Sequence, residues 1–264
     1  AEHRREVLIE RMGSVPSLLL ELETAYWTGF DPDDIAWHTA ALSKGGEVVT
    51  TRMAQEGGAV ALLVSGKDRT GLFADLAGTL AKMGANIVSA QVFTSKGGRI
   101  VDVFMLQDHR GLPYGEGDGP RLAKLEEAIR AALGGKVPAG TVKSRAGRRE
   151  AAFLVQPSVQ IHEDLSAEYT VIDIAARDRP GLLHEVAEVL ADMRLSIHSA
   201  HVGSYGERLF DAFYVTPEPG APPLSKAKKE TLRERLLAVL AREEPDAPHT
   251  PARKLRRSRA VDSF

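Results

Sequence analysis

The sequence predicts an α+β protein: two tandem βαββαβ sandwiches behind a short helical lead-in. Three observations carry that expectation. The segment Asp68-Arg69-Thr70-Gly71-Leu72-Phe73 returns 110 residues later as Asp178-Arg179-Pro180-Gly181-Leu182-Leu183. Aligned without gaps from Asp68/Asp178 to Thr94/Ser204, the two copies agree at twelve of twenty-seven positions, so an internal duplication is the economical explanation. A one-residue deletion then restores register at Asp102/Asp211 and Phe104/Phe213, as two related hairpins of different loop length would show.

The elements follow in order. Val7, Leu8, Met12, Leu18, Leu19, Leu22 and Tyr26 recur at mostly helical spacing, broken by Gly13 and Pro16. Asp31-Pro32 reads as a helix start, since aspartate caps and proline suits the first helical position. Trp27 and Trp37 fall in this lead-in, which alone offers too little core to bury them. The first copy opens with the apolar run 59–64, a buried strand. A helix follows Asp68, with Leu72, Leu76, Leu80 and Met83 on one face and Gly84 as its stop. Residues 87–93 and 100–106 read as strands joined through Lys96-Gly97-Gly98-Arg99, and an amphipathic helix carries Leu122, Leu125, Ile129 and Leu133. Phe153-Leu154-Val155 with Val159-Gln160-Ile161 is assigned as the closing strand of this unit. The second copy repeats the order with strand 169–174, helix 181–193, strands 195–204 and 209–215, and a closing helix 224–241. It shows no obvious last strand of its own.

This order implies an antiparallel sheet with its helices on one face, a ferredoxin-like sandwich, twice over. The expected organisation is a helical lead-in over residues 1–55, a first domain over 56–163, a second over 164–245, and a disordered basic tail over 246–264.

Composition bounds the function. The chain has 264 residues, 43% hydrophobic and 27% charged, and a formal net charge of −2, which gives no bulk attraction to nucleic acid. The absence of cysteine excludes disulfides, thiolate metal sites and a cysteine nucleophile. No apolar run approaches the twenty or so residues that span a bilayer, and the charged start lacks a signal-peptide core. A cytoplasmic protein without membrane association is expected. The start at Ala1, in helical sequence, suggests a piece of a longer chain.

At the junction from first strand to first helix each copy places Asp-Arg-(Thr/Pro)-Gly-Leu. Unpaired N–H groups and the helix dipole favour a negative group there, and Gly71 and Gly181 would let a small ligand approach the main chain. The plainer reading makes Asp68 and Asp178 ordinary helix N-caps. His184, His198 and His201 do not form a convincing metal set, because alternation puts His198 and His201 on opposite strand faces. His162-Glu163-Asp164 reads as solvated surface. Asp102 and Asp211 read as hairpin contacts to Arg99 or Arg208.

The turn resembles the signature of the ACT family of regulatory domains. That resemblance implies a free amino acid bound at an interface between paired domains. It assigns contacts to Asp68, Arg69, Gly71 and Leu72, with Asn86 and Ile87 on the facing strand, and to Asp178, Arg179, Gly181 and Leu182, with Ser196 and Ile197. Thr70 departs from the family's proline, and Ser196 replaces the amide of Asn86, so the two sites are expected to differ. The lead-in Tyr26-Trp27-Thr28-Gly29-Phe30-Asp31-Pro32 with His38, the linker 153–159 and the hairpin 206–213 are similar to the C-terminal part of the PII uridylyltransferase/uridylyl-removing enzyme family. This second likeness implies glutamine as ligand, nitrogen metabolism as the context and a PII signalling protein as partner through the parent enzyme.

Complete members of that family carry a nucleotidyltransferase domain and a phosphohydrolase domain, for which Mg²⁺ is expected. In this chain Gly13-Ser14 is followed by no Asp-x-Asp pair at useful spacing, so no catalytic residue and no cofactor is assigned to it. The alternative is a structural pairing module in which the turns are caps and the domains serve oligomerisation.

Overall fold

The computed structural model describes residues 2–137, 156–162, 165, 169–179, 181–205, 208–218 and 220–242. Four helices come first: α1 (Glu2–Met12), α2 (Ser17–Leu20), α3 (Thr24–Gly29) and α4 (Pro32–Leu42). The first half of the sheet region follows as β1 (Val48–Met53), β2 (Val60–Lys67), α5 (Leu72–Lys82), β3 (Asn86–Thr94), β4 (Arg99–Gln107) and α6 (Gly119–Leu133). The second repeats it as β5 (Ser158–His162), β6 (Thr170–Arg177), α7 (Leu182–Asp192), β7 (Leu195–Tyr205), β8 (Arg208–Pro217) and α8 (Lys226–Leu240).

All eight strands form one antiparallel sheet in the order β1-β2-β4-β3-β7-β8-β6-β5. Each half keeps the strand arrangement of a ferredoxin-like sandwich, but the edge strand comes from a different part of the chain than the sequence suggested. The segment 158–162 does not close the first half. Ser158–His162 pairs with β6, from Ser158↔Ala175 to His162↔Val171, and so supplies the strand that the second half lacked at its end. The first half is completed by β1, which lies within the stretch read as lead-in and pairs with β2 from Val48↔Ser65 to Met53↔Val60. The edge place beside β2 or β6 is antiparallel to its neighbour, so a strand just ahead of that neighbour reaches it through a short turn. Ala54 N–H to Ala59 O at 3.1 Å closes the first such turn. Phe153-Leu154-Val155, the basic stretch 143–150 and the tail beyond 242 lie outside the described residues.

The halves meet where β3 pairs with β7, from Ser89↔Gly203 to Phe93↔Ser199, centred on Gln91↔His201. These two central residues are themselves equivalent in the repeat, so the halves are related by a local two-fold axis passing between them. Even-numbered residues of β2, β3, β4, β6 and β7 (Leu62, Val64, Ala90, Val92, Phe104, Ile172, Ala200, Val202) face α5–α8 and join Leu76, Leu80, Val186 and Leu190 in one continuous core. Phe73 bridges the halves, its ring centroid 6.1 Å from Phe104 and 6.5 Å from Phe213. Gly78 lets α5 and α7 approach closely: a Cβ there would lie 2.8 Å from His184 Nδ1, the atom that is 2.8 Å from Ala74 O.

The opposite face of the first half is covered by the lead-in. Tyr26, Trp27, Phe30 and Ile35 bury Leu63, Phe93, Val101 and Val103 in a second core, which is why the run 60–64 is apolar without alternation. Edge strand β1 is shielded by α6, where Glu126 accepts the Thr51 N–H at 3.0 Å and Arg130 donates to Val49 O at 2.7 Å. Among the described residues no helix is long and apolar enough to cross a membrane.

Candidate ligand site between the two halves

The first turn is built by the end of β2 and the start of α5. Asp68 N–H donates to Gly98 O at 2.9 Å, which ties the turn to the β3–β4 hairpin. Gly71, not Asp68, occupies the N-cap position, with φ 73°, a left-handed conformation that costs glycine little. Gly181 does the same at φ 82°. Neither helix has a side-chain cap hydrogen bond, so the reading of Asp68 and Asp178 as N-caps fails. Gly71 O accepts from Asp75 N–H, whereas the main-chain N–H groups of Phe73 and Ala74 have no carbonyl partner.

Arg69 and Arg179 are engaged within the protein. Arg69 donates to Asp75 Oδ2 at 2.6 Å and to Ala132 O at 2.9 Å, joining α5 to the last turn of α6. Arg179 donates to Glu185 at 2.6 and 3.0 Å and to Val239 O at 3.2 Å, joining α7 to α8 in the same way. Burial, the largest single cause, raises the Glu185 carboxyl, but Arg179 and Arg242 together outweigh it and hold the group below its usual range.

A cavity of about 780 Å³ opens beside the first turn. Its lining includes Asp68, Arg69, Gly71 and Leu72 from the first half and Ser196, Ile197 and His198 from the second. Asn86 and Ile87 are not in it. They start β3, and Asn86 pairs with Gln107, whereas the turn sits at the far end of the hairpin, where Lys67 pairs with Arg99. The nine residues of β3 separate the two ends by roughly 30 Å. The assignment of Asn86 and Ile87 to the first turn is therefore corrected: within one unit, the turn and the start of the second strand lie at opposite ends. Antiparallel pairing of β3 with β7 brings the partner unit's Ser196 and Ile197 there instead. The local two-fold carries Ser196 and Ile197 onto Asn86 and Ile87, which accordingly belong beside the second turn with Asp178, Arg179, Gly181 and Leu182. Pro180, the counterpart of Thr70, lies outside the described residues.

Burial raises the Asp68 carboxyl, opposed by the Arg69 main-chain N–H and by His198. His198, whose Nε2 is 2.8 Å from Thr216 Oγ1, is lowered by burial and pushed back up by Asp68 and Glu23. Thr70 donates its hydroxyl to Glu218, a contact across the halves that proline could not make. That bond, together with Arg194 at 3.2 Å, holds the Glu218 carboxyl below its usual range.

Asp102 and Asp211 are not hairpin surface contacts. Asp102 is 1% exposed and Asp211 3%. Asp102 pairs with Val64 and Val92, and Asp211 with Ile174 and Val202, so both point into the core on the helix side. Asp102 lines the cavity. The signal was present in the sequence: Ile100, Asp102, Phe104 and Leu106 share one strand face, and the lone acid sits in an apolar stripe.

Among the described residues no group of three or more His, Cys, Asp or Glu could hold a metal ion. His162 lies 3.1 Å from Asp173, and Glu163 and Asp164 are outside the described residues.

A turn of this conformation, repeated by a local two-fold and closed by a neighbouring strand, defines a class. The ACT-domain family model matches residues 60–113 and 170–234, and the chain belongs to that family as a tandem pair of ACT domains. Over 98% of its length it is 41% identical to the bifunctional uridylyltransferase/uridylyl-removing enzyme of Caulobacter vibrioides. It is 38% identical over 90% of its length to the enzyme of the same name from Phenylobacterium zucineum. The chain spans 28% and 26% of those two proteins, respectively. Aspartate kinase from Synechocystis superposes loosely, with a TM-score of 0.34 and 19% identity, covering 67% of this chain and 26% of that one.

Proposed function

We propose that this chain is the amino-acid-sensing module of a bifunctional uridylyltransferase/uridylyl-removing enzyme, that glutamine is its ligand, and that its output is the modification state of a PII signalling protein. The observation that carries this reading is the cavity between the halves. Its lining includes Phe73 and Ala74, whose N–H groups at the positive end of α5 lack a carbonyl partner, together with Ser196 and Ile197 of the other half. A ligand held there touches both halves, so its binding free energy depends on how they are set against each other. This is the condition for a small molecule to bias a conformational equilibrium. The transfer and removal of UMP would reside in the rest of the longer protein, and the module would supply the nitrogen signal.

Titration calorimetry with glutamine tests the reading. Saturable heat with glutamine, and weaker or no heat with other amino acids, is the expected result. Neither heat nor a thermal shift at millimolar glutamine would favour a module that serves pairing alone.

A further inference from the structure

Among the described residues five carboxyl groups line the cavity, and each accepts at least one hydrogen bond. Glu21 accepts the Gly97 N–H at 3.1 Å, Glu23 accepts the Tyr169 hydroxyl, Glu218 accepts from Thr70 and Arg194, and Asp68 accepts the Arg69 main-chain N–H. The fifth is Asp102, on the sheet side, which accepts the Phe93 main-chain N–H but whose Oδ1 has no hydrogen-bond partner although the residue is 1% exposed. A buried carboxyl oxygen without a partner is costly, and the side chains paired beside it, Val64 and Val92, supply no donor. The repeat reproduces the arrangement in Asp211, which is 3% exposed and whose carboxyl is likewise incompletely paired.

We infer that Asp102 is the anchor for the ligand's ammonium group: the amino acid lies between the α5 start, which takes its carboxylate, and Asp102, which takes its cation. This rests on the reading of the cavity as an amino-acid site and goes beyond it by assigning the ligand's orientation and a residue outside the signature turn. Burial first, and then the proximity of Asp68, hold the Asp102 carboxyl well above its usual range, against the Phe93 main-chain N–H. An arriving cation supplies the compensation that the empty site lacks. Lys67 and Lys96 also line the cavity; being cations themselves, they favour the ligand's carboxylate and cannot partner its ammonium.

The test pairs one substitution with one ligand deletion. Glutamine and glutaramic acid, which is glutamine without its α-ammonium, are titrated into the wild-type chain and into Asp102→Asn, with thermal denaturation confirming that the variant is folded. Glutamine affinity should fall at least tenfold in the variant, while glutaramic acid binds both proteins equally weakly, because removing either partner of one contact removes the same interaction. Equal loss for both ligands would make Asp102 a structural residue, and no loss for glutamine would remove it from the site; either overturns the inference and leaves the glutamine reading intact. Failure of the wild-type chain to bind glutamine would overturn both. If Asp102→Asn does not fold, Asp102→Glu, which keeps the charge, is measured with the same two ligands. Loss of the preference for glutamine over glutaramic acid in this folded variant, with glutaramic acid affinity unchanged, supports the anchor, and unchanged glutamine affinity counts against it. A weakening common to both ligands counts against it.

Discussion

The two halves share a fold and differ in what lies on their second face. In the first, Leu63, Phe93, Val101 and Val103 are buried beneath Tyr26, Trp27 and Ile35. Their repeat counterparts in the second are Asp173, Gly203, Phe210 and Ala212, and Phe210 is 49% exposed. Strand β2 is buried at seven successive positions, whereas in β6 half-buried Thr170, Asp173 and Ala175 interrupt the buried ones. One packed face is enough to hold such a sheet together. The composition of the other face records whether anything covers it.

The contrast is broken most directly at Trp27, which is fully buried. Trp27→Ala should cost about 3–5 kcal/mol in chemical denaturation. A cost below about 1 kcal/mol would mean that the lead-in is not part of the first half's core.

Next in size is a pH effect confined to the covered face. Tyr26 OH lies 2.8 Å from His38 Nδ1, and burial, reinforced by Arg52, lowers His38 from 6.5 to about 3. Its contribution is complete above pH 6.5 and is lost on acidification, as the unfolded chain takes up a proton that the folded one refuses. Between that pH and about pH 4 the loss is on the order of 3 kcal/mol, and it should be absent in His38→Gln relative to the wild-type chain. The buried aspartates of both halves run the other way. With Asp102 and Asp211 raised by burial, the folded chain holds protons that the unfolded one releases, so their effect destabilises as pH rises above the ordinary carboxylate range. Asp211→Asn should therefore raise the melting temperature at pH 7 and change it less at about pH 4.

The contact that makes the halves one body is sharpened by Gly78→Val, which should cost about 1–3 kcal/mol through His184 and shift a single unfolding transition. Two separated transitions in the variant would show that α5 and α7 couple the halves. Arg69→Ala and Arg179→Ala should each cost about 1–2 kcal/mol, Arg179 the more, because it makes two bonds to its carboxylate where Arg69 makes one. Smallest is Phe210→Ala, within about 0.5 kcal/mol; a cost like that of Trp27→Ala would mean that the second half's open face is covered after all.

Much of this was legible in the sequence. The repeated turn located both helix starts, and the apolar stripes of α5 and α7 located the core. Strand β1 was hidden because Val48-Val49-Thr50-Thr51-Arg52-Met53 is short and half-polar, as an edge strand is; its β-branched run was the available signal. The lead-in's role was not legible, since nothing local in Tyr26 or Trp27 says which sheet face they meet. The pairing of the first turn with Ser196 rather than Asn86 is a property of two units side by side. A unit read alone contains the parts of the site at opposite ends.

The junction of β3 with β7 joins two stretches of a single polypeptide. A recess formed by association of separate subunits empties its population of sites on dilution, while this one persists at any protein concentration, because its walls share a tether. Fusion also frees the walls from identity: Thr70 has drifted from Pro180 and Asn86 from Ser196, a divergence that a symmetric homodimer, obliged to present the same residue twice, cannot express.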